Sequence, residues 1–228
     1  MKTFILHSQD LSIAKLVSKK VDAVIQQKRT HFRFTTNKII DLDALREAFK
    51  LDFNFVPTSF SPNQTALLVS DMDSTLINIE CIDEIADFAN LKPQVAKITE
   101  LAMQGELEFD ASLAQRVALL KGLDVSVLEK VYTNKLQVNS GGRELIDFLK
   151  SKHIKSAVIS GGFTYFTDRL TKDIGLDYSR ANILGVDNGC LTGVTQGSII
   201  NAKAKADFVH ELCQKHTFDA IQVIAVGD

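Results

Sequence analysis

The sequence predicts an α/β protein in which a core domain with a parallel sheet is preceded by a small α+β domain. Two observations carry this prediction. Residues 2–56 alternate short strands and helices in the order β-α-β-β-α-β, and a buried-strand pattern over residues 66–70 is followed by helices and then by further strands. Strands that alternate with helices are typical of a parallel sheet, since the helices provide its crossover connections.

The first domain is expected to span residues 1–62, including a linker. Strands are predicted at 3–6, 21–26, 30–36 and 53–56, and helices at 10–17 and 41–49. This order is that of the split βαβ arrangement, in which helices cover one face of an antiparallel sheet. Residues 57–64 hold two of the three prolines among small polar residues, which indicates the linker.

The second domain, residues 63–228, is interrupted by a helical insertion at about residues 77–137. Helices are predicted at 80–89, 93–103, 109–120 and 125–133, from apolar residues spaced three and four apart with no strand between them. Because the insertion follows the first core strand, we expect it to form a cap that excludes water and contacts the substrate.

The core pattern resumes after the insertion. Helices are predicted at 143–152 and 202–215, strands at 153–159 and 220–226, and a hairpin at 183–194 with an Asn-Gly turn. The strand at 220–226 is apolar almost throughout, which favours a place in the middle of the parallel sheet.

Composition excludes several classes of protein. The chain has 228 residues, 45% of them hydrophobic and 24% charged, and a net charge of -2, so no basic field would attract nucleic acid or an anionic membrane. Its three cysteines are widely spaced, which favours neither disulfides nor a zinc site and indicates a reducing, cytoplasmic setting. No segment approaches the roughly 20 apolar residues of a membrane span, and the N-terminus lacks a signal peptide.

Asp71 and Asp73 follow the first core strand, at the sheet edge where α/β proteins bind ligands. Successive side chains of an extended segment alternate, so both carboxylates are expected on one side and Met72 on the other. One carboxylate can then act as a nucleophile while its neighbour transfers protons. The pair alone is also typical of a turn in which aspartate side chains bind backbone amides.

The run Asp71-Met-Asp-Ser-Thr-Leu76 resembles the D-x-D-[ST]-T-[LV] signature of the haloacid dehalogenase superfamily of phosphotransferases. The resemblance implies the parallel, Rossmann-like core of that superfamily, with the cap inserted after its first strand. It also implies that Asp71 is a nucleophile that forms an aspartyl-phosphate, and that Asp73 acts as acid and then base.

Two further runs resemble the second and third motifs of the superfamily. They are Ser160-Gly-Gly-Phe163 at a strand end, which alone is equally typical of a glycine turn, and Asn201-Ala-Lys203 at a helix start. The resemblance implies that Ser160, Gly161 and Lys203 bind the phosphate. Lys205 competes with Lys203 for this role, and the motif favours Lys203; a helix N-terminus itself attracts phosphate.

The resemblance also implies a magnesium ion held by Asp71, the backbone carbonyl of Asp73 and Asp228. In the superfamily the last Gly-Asp motif is followed by a loop with Asn and a further Asp. Here Gly227 and Asp228 are the final residues. The core domain is therefore expected to be incomplete at its C-terminus.

The cap gives the most specific resemblance. Glu80 and Arg116, with their flanking residues, match the pattern of the phosphoserine phosphatases of the superfamily, in which these positions bind the amino and carboxylate groups of serine. Met103 and Phe109 would add an apolar wall. Without that match, Glu80 and Arg116 would be taken for a surface salt bridge, because exposed charges pair commonly.

The function implied is the magnesium-dependent hydrolysis of O-phospho-L-serine to L-serine and phosphate in serine biosynthesis. The alternatives are a phosphatase for another small phosphomonoester and a non-catalytic form that binds phosphoserine. The first domain resembles the amino-acid-binding, ACT-like regulatory modules attached to some of these phosphatases. Its alternative role is packing or dimerisation, which would give a homodimer through this domain.

Overall fold

The computed structural model describes residues 1–227, which divide into two compact units. The N-terminal unit spans Met1–Gln64, and the C-terminal unit begins at Thr65. The sequence places this boundary slightly earlier, after residue 62. Each unit has hydrophobic clusters of its own.

The N-terminal unit is a four-stranded antiparallel sheet with strand order β2-β3-β1-β4 and two helices. Its elements are β1 (Lys2–Leu6), α1 (Leu11–Val21), β2 (Val24–Gln27), β3 (Phe32–Thr36), α2 (Leu42–Phe49) and β4 (Phe53–Val56). Asp10 and Asp41 cap the two helices by accepting backbone hydrogen bonds at their first turns. Alternate strand residues, such as Phe4 and Phe34, are buried in one cluster with the helices. The order of elements is the one that the sequence predicts.

The C-terminal unit contains a five-stranded sheet and seven helices within the described residues. The elements before the sheet resumes are β5 (Leu67–Ser70), α3 (Cys81–Asp87), α4 (Lys92–Met103), α5 (Phe109–Leu119), α6 (Ser126–Asn134) and α7 (Gly142–Ser151). They are followed by β6 (Lys155–Phe163), α8 (Thr164–Ile174), β7 (Tyr178–Asp187), β8 (Cys190–Gln196), α9 (Ala202–His216) and β9 (Val223–Val226).

The sheet has the strand order β8-β7-β6-β5-β9, in which only β8 is antiparallel to its neighbour. Successive residues of β5 belong to different clusters: Leu68 packs with the cap and with α7 and α8, whereas Leu67 and Val69 pack with α9. Burial on both faces explains why the first three residues of β5 are all apolar. Its carboxyl end is therefore held between two packed layers.

The helices α3 to α6 form the inserted cap, which enters and leaves through two paired segments. Ile77 forms an antiparallel bridge with Val138, and the Asn78 amide donates to the Gln137 carbonyl at 3.0 Å. The side chain of Asn139 donates to two carbonyls of the entering segment. The two connections of the cap are thus tied to each other at its base.

The structure differs from the sequence-based expectation at two elements. Helix α8 is absent from that expectation, because its apolar stripe is only one residue wide: Phe166, Leu170 and Ile174. The apolar run at 220–226 predicts a central strand, yet within residues 1–227 β9 pairs with β5 alone and Val226 is exposed. That expectation is wrong for the described sheet, because apolar composition does not specify how many strands pair with a segment.

Membrane insertion through a helix finds no support in the described part of the chain, where no helix has both the length and the apolar character to cross a bilayer.

A core truncation in the N-terminal unit should unfold that unit alone. Phe34 is fully buried and stacks on Phe4, so Phe34→Ala should destabilise the unit by about 3–5 kcal/mol. The chain has no tryptophan, and its tyrosines Tyr132, Tyr165 and Tyr178 lie in the C-terminal unit. Urea unfolding followed by circular dichroism should gain an early transition, whereas tyrosine fluorescence should keep its midpoint.

The matched control is Phe55→Ala on β4, since Phe55 is 45% exposed and its loss should have a much smaller effect. An equal shift of the tyrosine transition in Phe34→Ala would show that the units unfold together and would contradict the prediction.

Candidate active site

The site is a cavity of about 210 Å³ in the C-terminal unit, where the carboxyl ends of the core strands face the cap. Its lining within the described residues consists of carboxylates, two cations, a serine-glycine segment and apolar cap side chains: Asp71, Asp73, Glu80, Ile82, Phe109, Leu113, Arg116, Ser160, Gly161, Gly162, Phe163 and Lys205. Such a mixture of fixed charges and apolar walls is typical of a site for a small polar ligand.

Asp71 lies immediately after β5. Its amide donates to the Val226 carbonyl of β9 at 2.9 Å, so the parallel ladder continues up to the residue that carries the carboxylate. One carboxylate oxygen accepts from the Met72 amide at 2.7 Å, and the other is paired with the Lys205 ammonium. The carboxylate is therefore held at the sheet edge by a backbone donor and a cation.

A tight turn follows, and it carries Asp73 into the same cavity. The amides of Thr75, Leu76 and Ile77 all donate to the Met72 carbonyl, at 3.3, 2.9 and 3.0 Å. Met72 is fully buried, whereas Asp71 and Asp73 both line the cavity. The two carboxylates therefore share one site, as the alternation of an extended segment predicts.

Asp73 is held by donors from both the cap and the core. Its Oδ1 accepts from the Cys81 amide, at the start of α3, at 2.9 Å, and its Oδ2 accepts from Ser160 Oγ at 3.1 Å. Burial raises the pKa of the Asp73 carboxyl, the hydrogen bonds of Cys81 and Ser160 lower it, and the Asp71 carboxylate raises it. The net shift is upward, which favours the protonated form that a general acid requires.

The end of β6 approaches Asp73 so closely that a side chain is excluded. Ser160 is buried, and its Oγ accepts from the Gly162 amide at 2.8 Å. A Cβ atom on Gly162 would lie 2.5 Å from Asp73 Oδ2. Glycine is thus required at 162 by the close approach, and Ser160 and Gly161 occupy the cavity wall where the sequence predicts them.

The lysine in the cavity is Lys205, and the preference for Lys203 is corrected. The Lys203 ammonium pairs with Asp207 at 2.5 Å and its side chain is 83% exposed, whereas the Lys205 side chain is 32% exposed and reaches Asp71. Residues two apart point to different sides of a helix. The sequence contains the signal: Lys205 stands three residues before Phe208, which is buried, on the face of α9 that packs on the sheet.

On the cap side, Glu80 and Arg116 line the cavity together. Ser74 Oγ donates to Glu80 at 2.5 Å, and Arg116 Nε donates to the Ser112 carbonyl at 3.4 Å. Burial lowers the pKa of the Arg116 guanidinium, and the nearby carboxylates of Asp83, Glu80 and Asp73 oppose that shift. An acid and a cation are thus fixed on the cap wall opposite Asp71.

Of the two predicted apolar wall residues, only Phe109 lies at the cavity. Its ring covers Gly161, where an added Cβ atom would come within 2.9 Å of it. Met103 is 85% exposed at the end of α4 and is not among the lining residues that the structure describes. Its wall position is taken by Ile82 and Leu113 of the neighbouring cap helices, because α4 turns its buried residue Val95 inward instead.

The donors for a metal ion are hard oxygens, as magnesium prefers. Asp71 and Asp73 supply them at the cavity, although residues 1–227 contain no group of three or more His, Cys, Asp or Glu side chains that could hold a metal. The predicted third ligand, Asp228, lies outside the described residues. Gly227 is beside Asp71, since a Cβ atom added to it would lie 3.8 Å from Asp71 Cβ. The donor chemistry fits magnesium.

A parallel sheet that delivers two aspartates to a capped cavity beside a lysine defines a hydrolase of the haloacid dehalogenase-like class. The sequence model of the haloacid dehalogenase-like hydrolases matches residues 65–228, and the chain belongs to this family.

Known relatives give a more specific comparison. A phosphoserine phosphatase of Archaeoglobus fulgidus is 46% identical over 185 residues, which cover 80% of this chain and 54% of the relative, so the chain spans about half the length of that protein. A solved haloacid dehalogenase family hydrolase of Salmonella enterica serovar Typhi is 27% identical with a TM-score of 0.85, over 100% of this chain and 84% of that one. A phosphoserine phosphatase solved as a phospho-aspartyl intermediate analogue is 38% identical with a TM-score of 0.68, over 72% of this chain and 78% of that one.

Removing the charge of Asp73 should stabilise the protein at neutral pH. A carboxyl whose pKa is raised in the folded state contributes stability below its unfolded pKa and loses it as the pH rises through the folded pKa. Asp73→Asn, which cannot ionise, should therefore unfold at higher urea than the wild type at pH 7. The difference should vanish as the pH falls toward the ordinary value of 3.8.

The control is Asp187→Asn at the exposed end of β7, which should leave the urea midpoint at pH 7 close to that of the wild type. A wild type that is more stable than Asp73→Asn at pH 7 would contradict the raised pKa.

Proposed function

We propose that the chain is a phosphoserine phosphatase, which hydrolyses O-phospho-L-serine to L-serine and inorganic phosphate. The observation that carries this proposal is that one cavity is lined by Asp71, Asp73 and Lys205 on its core side and by Glu80 and Arg116 on its cap side. The first three suit phosphoryl transfer, whereas an acid and an arginine suit the amino and carboxylate groups of an amino acid. The phosphoserine phosphatases among its relatives support the same assignment.

The reaction would proceed in two displacements. An oxygen of Asp71 attacks the phosphorus, the bond from phosphorus to the serine oxygen breaks, and the Asp73 carboxyl gives its proton to that oxygen. Asp73, now ionised, takes a proton from a water molecule that attacks the aspartyl-phosphate, which releases phosphate and restores Asp71. The raised pKa of Asp73 supports its role as the acid of the first step.

Binding of the phosphate is assigned to Lys205, Ser160 and the Gly161 backbone. The Lys205 ammonium would offset the charge that accumulates when the phosphate approaches the Asp71 carboxylate. Ser160 Oγ and the amides near it lie beside Asp73, where they can donate to phosphate oxygens. Phe109 covers this segment from the cap and would limit the access of water.

Phosphatases of this family are generally metal-dependent. We assign a magnesium site to Asp71, the carbonyl of Asp73 and Asp228. The ion would supply further neutralisation of the phosphate oxygens. The proposal places the enzyme in the cytoplasm and in serine biosynthesis. Three free cysteines support the cytoplasmic compartment, where thiols stay reduced. For the N-terminal unit we propose an ACT-like regulatory role, with dimerisation as the alternative.

Release of inorganic phosphate should be fastest from O-phospho-L-serine. We expect slower release from p-nitrophenyl phosphate, which has neither an amino nor a carboxylate group, and no release after magnesium is removed with EDTA. Equal rates on both esters would favour another small phosphomonoester as the substrate. Saturable binding of phosphoserine without phosphate release would favour the non-catalytic alternative.

The matched control for specificity is Arg116→Ala. It should lower kcat/KM for phosphoserine by about 30-fold or more, as expected for a charge pair that loses one partner, and leave the rate on p-nitrophenyl phosphate nearly unchanged. An equal loss on both esters would mean that Arg116 does not contact the amino-acid part of the substrate.

The two lysines at the start of α9 form a natural pair of variants. Lys205→Ala should lower kcat/KM by about 100-fold or more, because a charge that stabilises the transferred phosphate is lost. Lys203→Ala removes an exposed ion pair of little energetic weight and should leave the rate within about twofold of the wild type. The reverse ranking in a phosphate-release assay would restore Lys203 as the phosphate ligand.

A further inference from the structure

One buried side chain connects two separate segments of the cavity wall. Asn182 lies on β7 and is 1% exposed. Its Nδ2 donates to the Gly161 carbonyl at 2.7 Å, and its Oδ1 accepts from the Ile200 amide at 2.8 Å. Both ends of the amide are therefore engaged, one at the serine-glycine segment and the other just before α9.

The contact with Gly161 fills an interruption of the sheet. Strands β6 and β7 pair regularly up to Ile159 and Arg180, and pairing resumes at Phe163 and Asn182. The three intervening residues of β6 face a single residue of β7, so their backbone groups lack regular ladder partners. Asn182 donates to one of the carbonyls that the interruption leaves, which fixes the direction of the segment that carries Ser160.

The contact with Ile200 sets the start of α9. Ile200 precedes Asn201, whose Oδ1 caps the helix by accepting from the Ala204 amide at 3.1 Å. The Lys205 amide in turn donates to the Asn201 carbonyl at 2.9 Å. A displacement of Ile200 would therefore displace the first turn of α9 and the ammonium group that reaches Asp71.

We propose that Asn182 is a positioning residue that sets the distance between the Ser160–Gly162 segment and Lys205. This inference rests on the proposed function, since both groups are assigned to the phosphate. Asn182 does not line the cavity and acts through its two backbone partners. Removing its amide would leave a buried donor and a buried acceptor unpaired, and the two segments would separate to find other partners. Small displacements of this kind reduce catalysis strongly.

The test compares Asn182→Ala with Ser156→Ala. Ser156 lies on β6, is equally buried at 1% exposure and is hydrogen-bonded to Asp177, but it lies at the opposite end of the strand from the cavity. Asn182→Ala should lower kcat/KM about 100-fold on both O-phospho-L-serine and p-nitrophenyl phosphate, because both share the phosphate group. Ser156→Ala should lose comparable stability to urea and keep the wild-type rates.

A second variant keeps the inference testable if Asn182→Ala does not fold. Asn182→Leu keeps a similar volume and branching but removes both the donor to Gly161 and the acceptor for Ile200, and it should also lose rate equally on both esters. Hydrogen exchange should quicken at the Ile200 amide in Asn182→Ala and stay at the wild-type rate in Ser156→Ala.

Three results would overturn the inference: wild-type rates in a folded Asn182 variant, a loss confined to phosphoserine, or an equal loss of rate in Ser156→Ala. A wild type that hydrolyses p-nitrophenyl phosphate without preferring phosphoserine would refute the proposed substrate and leave the Asn182 comparison intact. If the wild type hydrolyses neither ester, the affinity for inorganic phosphate, measured by calorimetry, replaces the comparison of hydrolysis rates. Asn182→Ala should then weaken that binding about tenfold, and unchanged binding would overturn the inference.

Discussion

The carboxylate of Asp73 is the group on which the rest of the site depends. It accepts a hydrogen bond from the first amide of the cap helix α3 and another from Ser160 on the core strand β6. Cap and core are therefore both hydrogen-bonded to the Asp73 carboxylate, and Gly162 leaves room for its oxygens. Desolvation raises the pKa of this carboxyl, so the same burial that joins the two parts of the domain also favours its role as an acid.

The other charged groups of the cavity are brought to Asp73 by the strand and helices that carry them. Strand β5 delivers Asp71, and α9 brings Lys205 to it from the opposite layer. The cap contributes Glu80 and Arg116 through helices whose connections are tied at their base. Asp71, Lys205, Glu80 and Arg116 thus lie on regular elements or directly beside them, which holds charges of opposite sign close together in one arrangement.

Much of this arrangement is predictable from the sequence, and the failures have physical causes. Asp71, Asp73 and Ser160 are marked by strands that end in polar or glycine residues, a local pattern. Choosing Lys205 over Lys203 requires the face of α9 that packs on the sheet. The position of Lys205 three residues before Phe208 indicates that face, whereas the short motif at residues 201–203 does not. The expectation that Met103 lines the cavity is wrong, because the apolar spacing of a helix does not tell whether that helix borders the cavity, and no described residue of α4 lines it. Asn182 acts through residues distant in the chain, and its signal in the sequence is weak, because β7 contains other polar residues such as Ser179 and Arg180.

Ser74 shows how this turn exchanges stability for orientation. Its backbone is left-handed, with a φ of 52°, a conformation that costs a residue with a side chain about 1 kcal/mol. Glycine would relieve that strain, but it would also remove the hydroxyl that donates to Glu80. Two requirements therefore conflict at position 74: glycine suits the left-handed backbone best, but it has no side chain to donate a hydrogen bond to Glu80. The serine at position 74 thus ties the backbone strain of the core turn to the orientation of an acid on the cap.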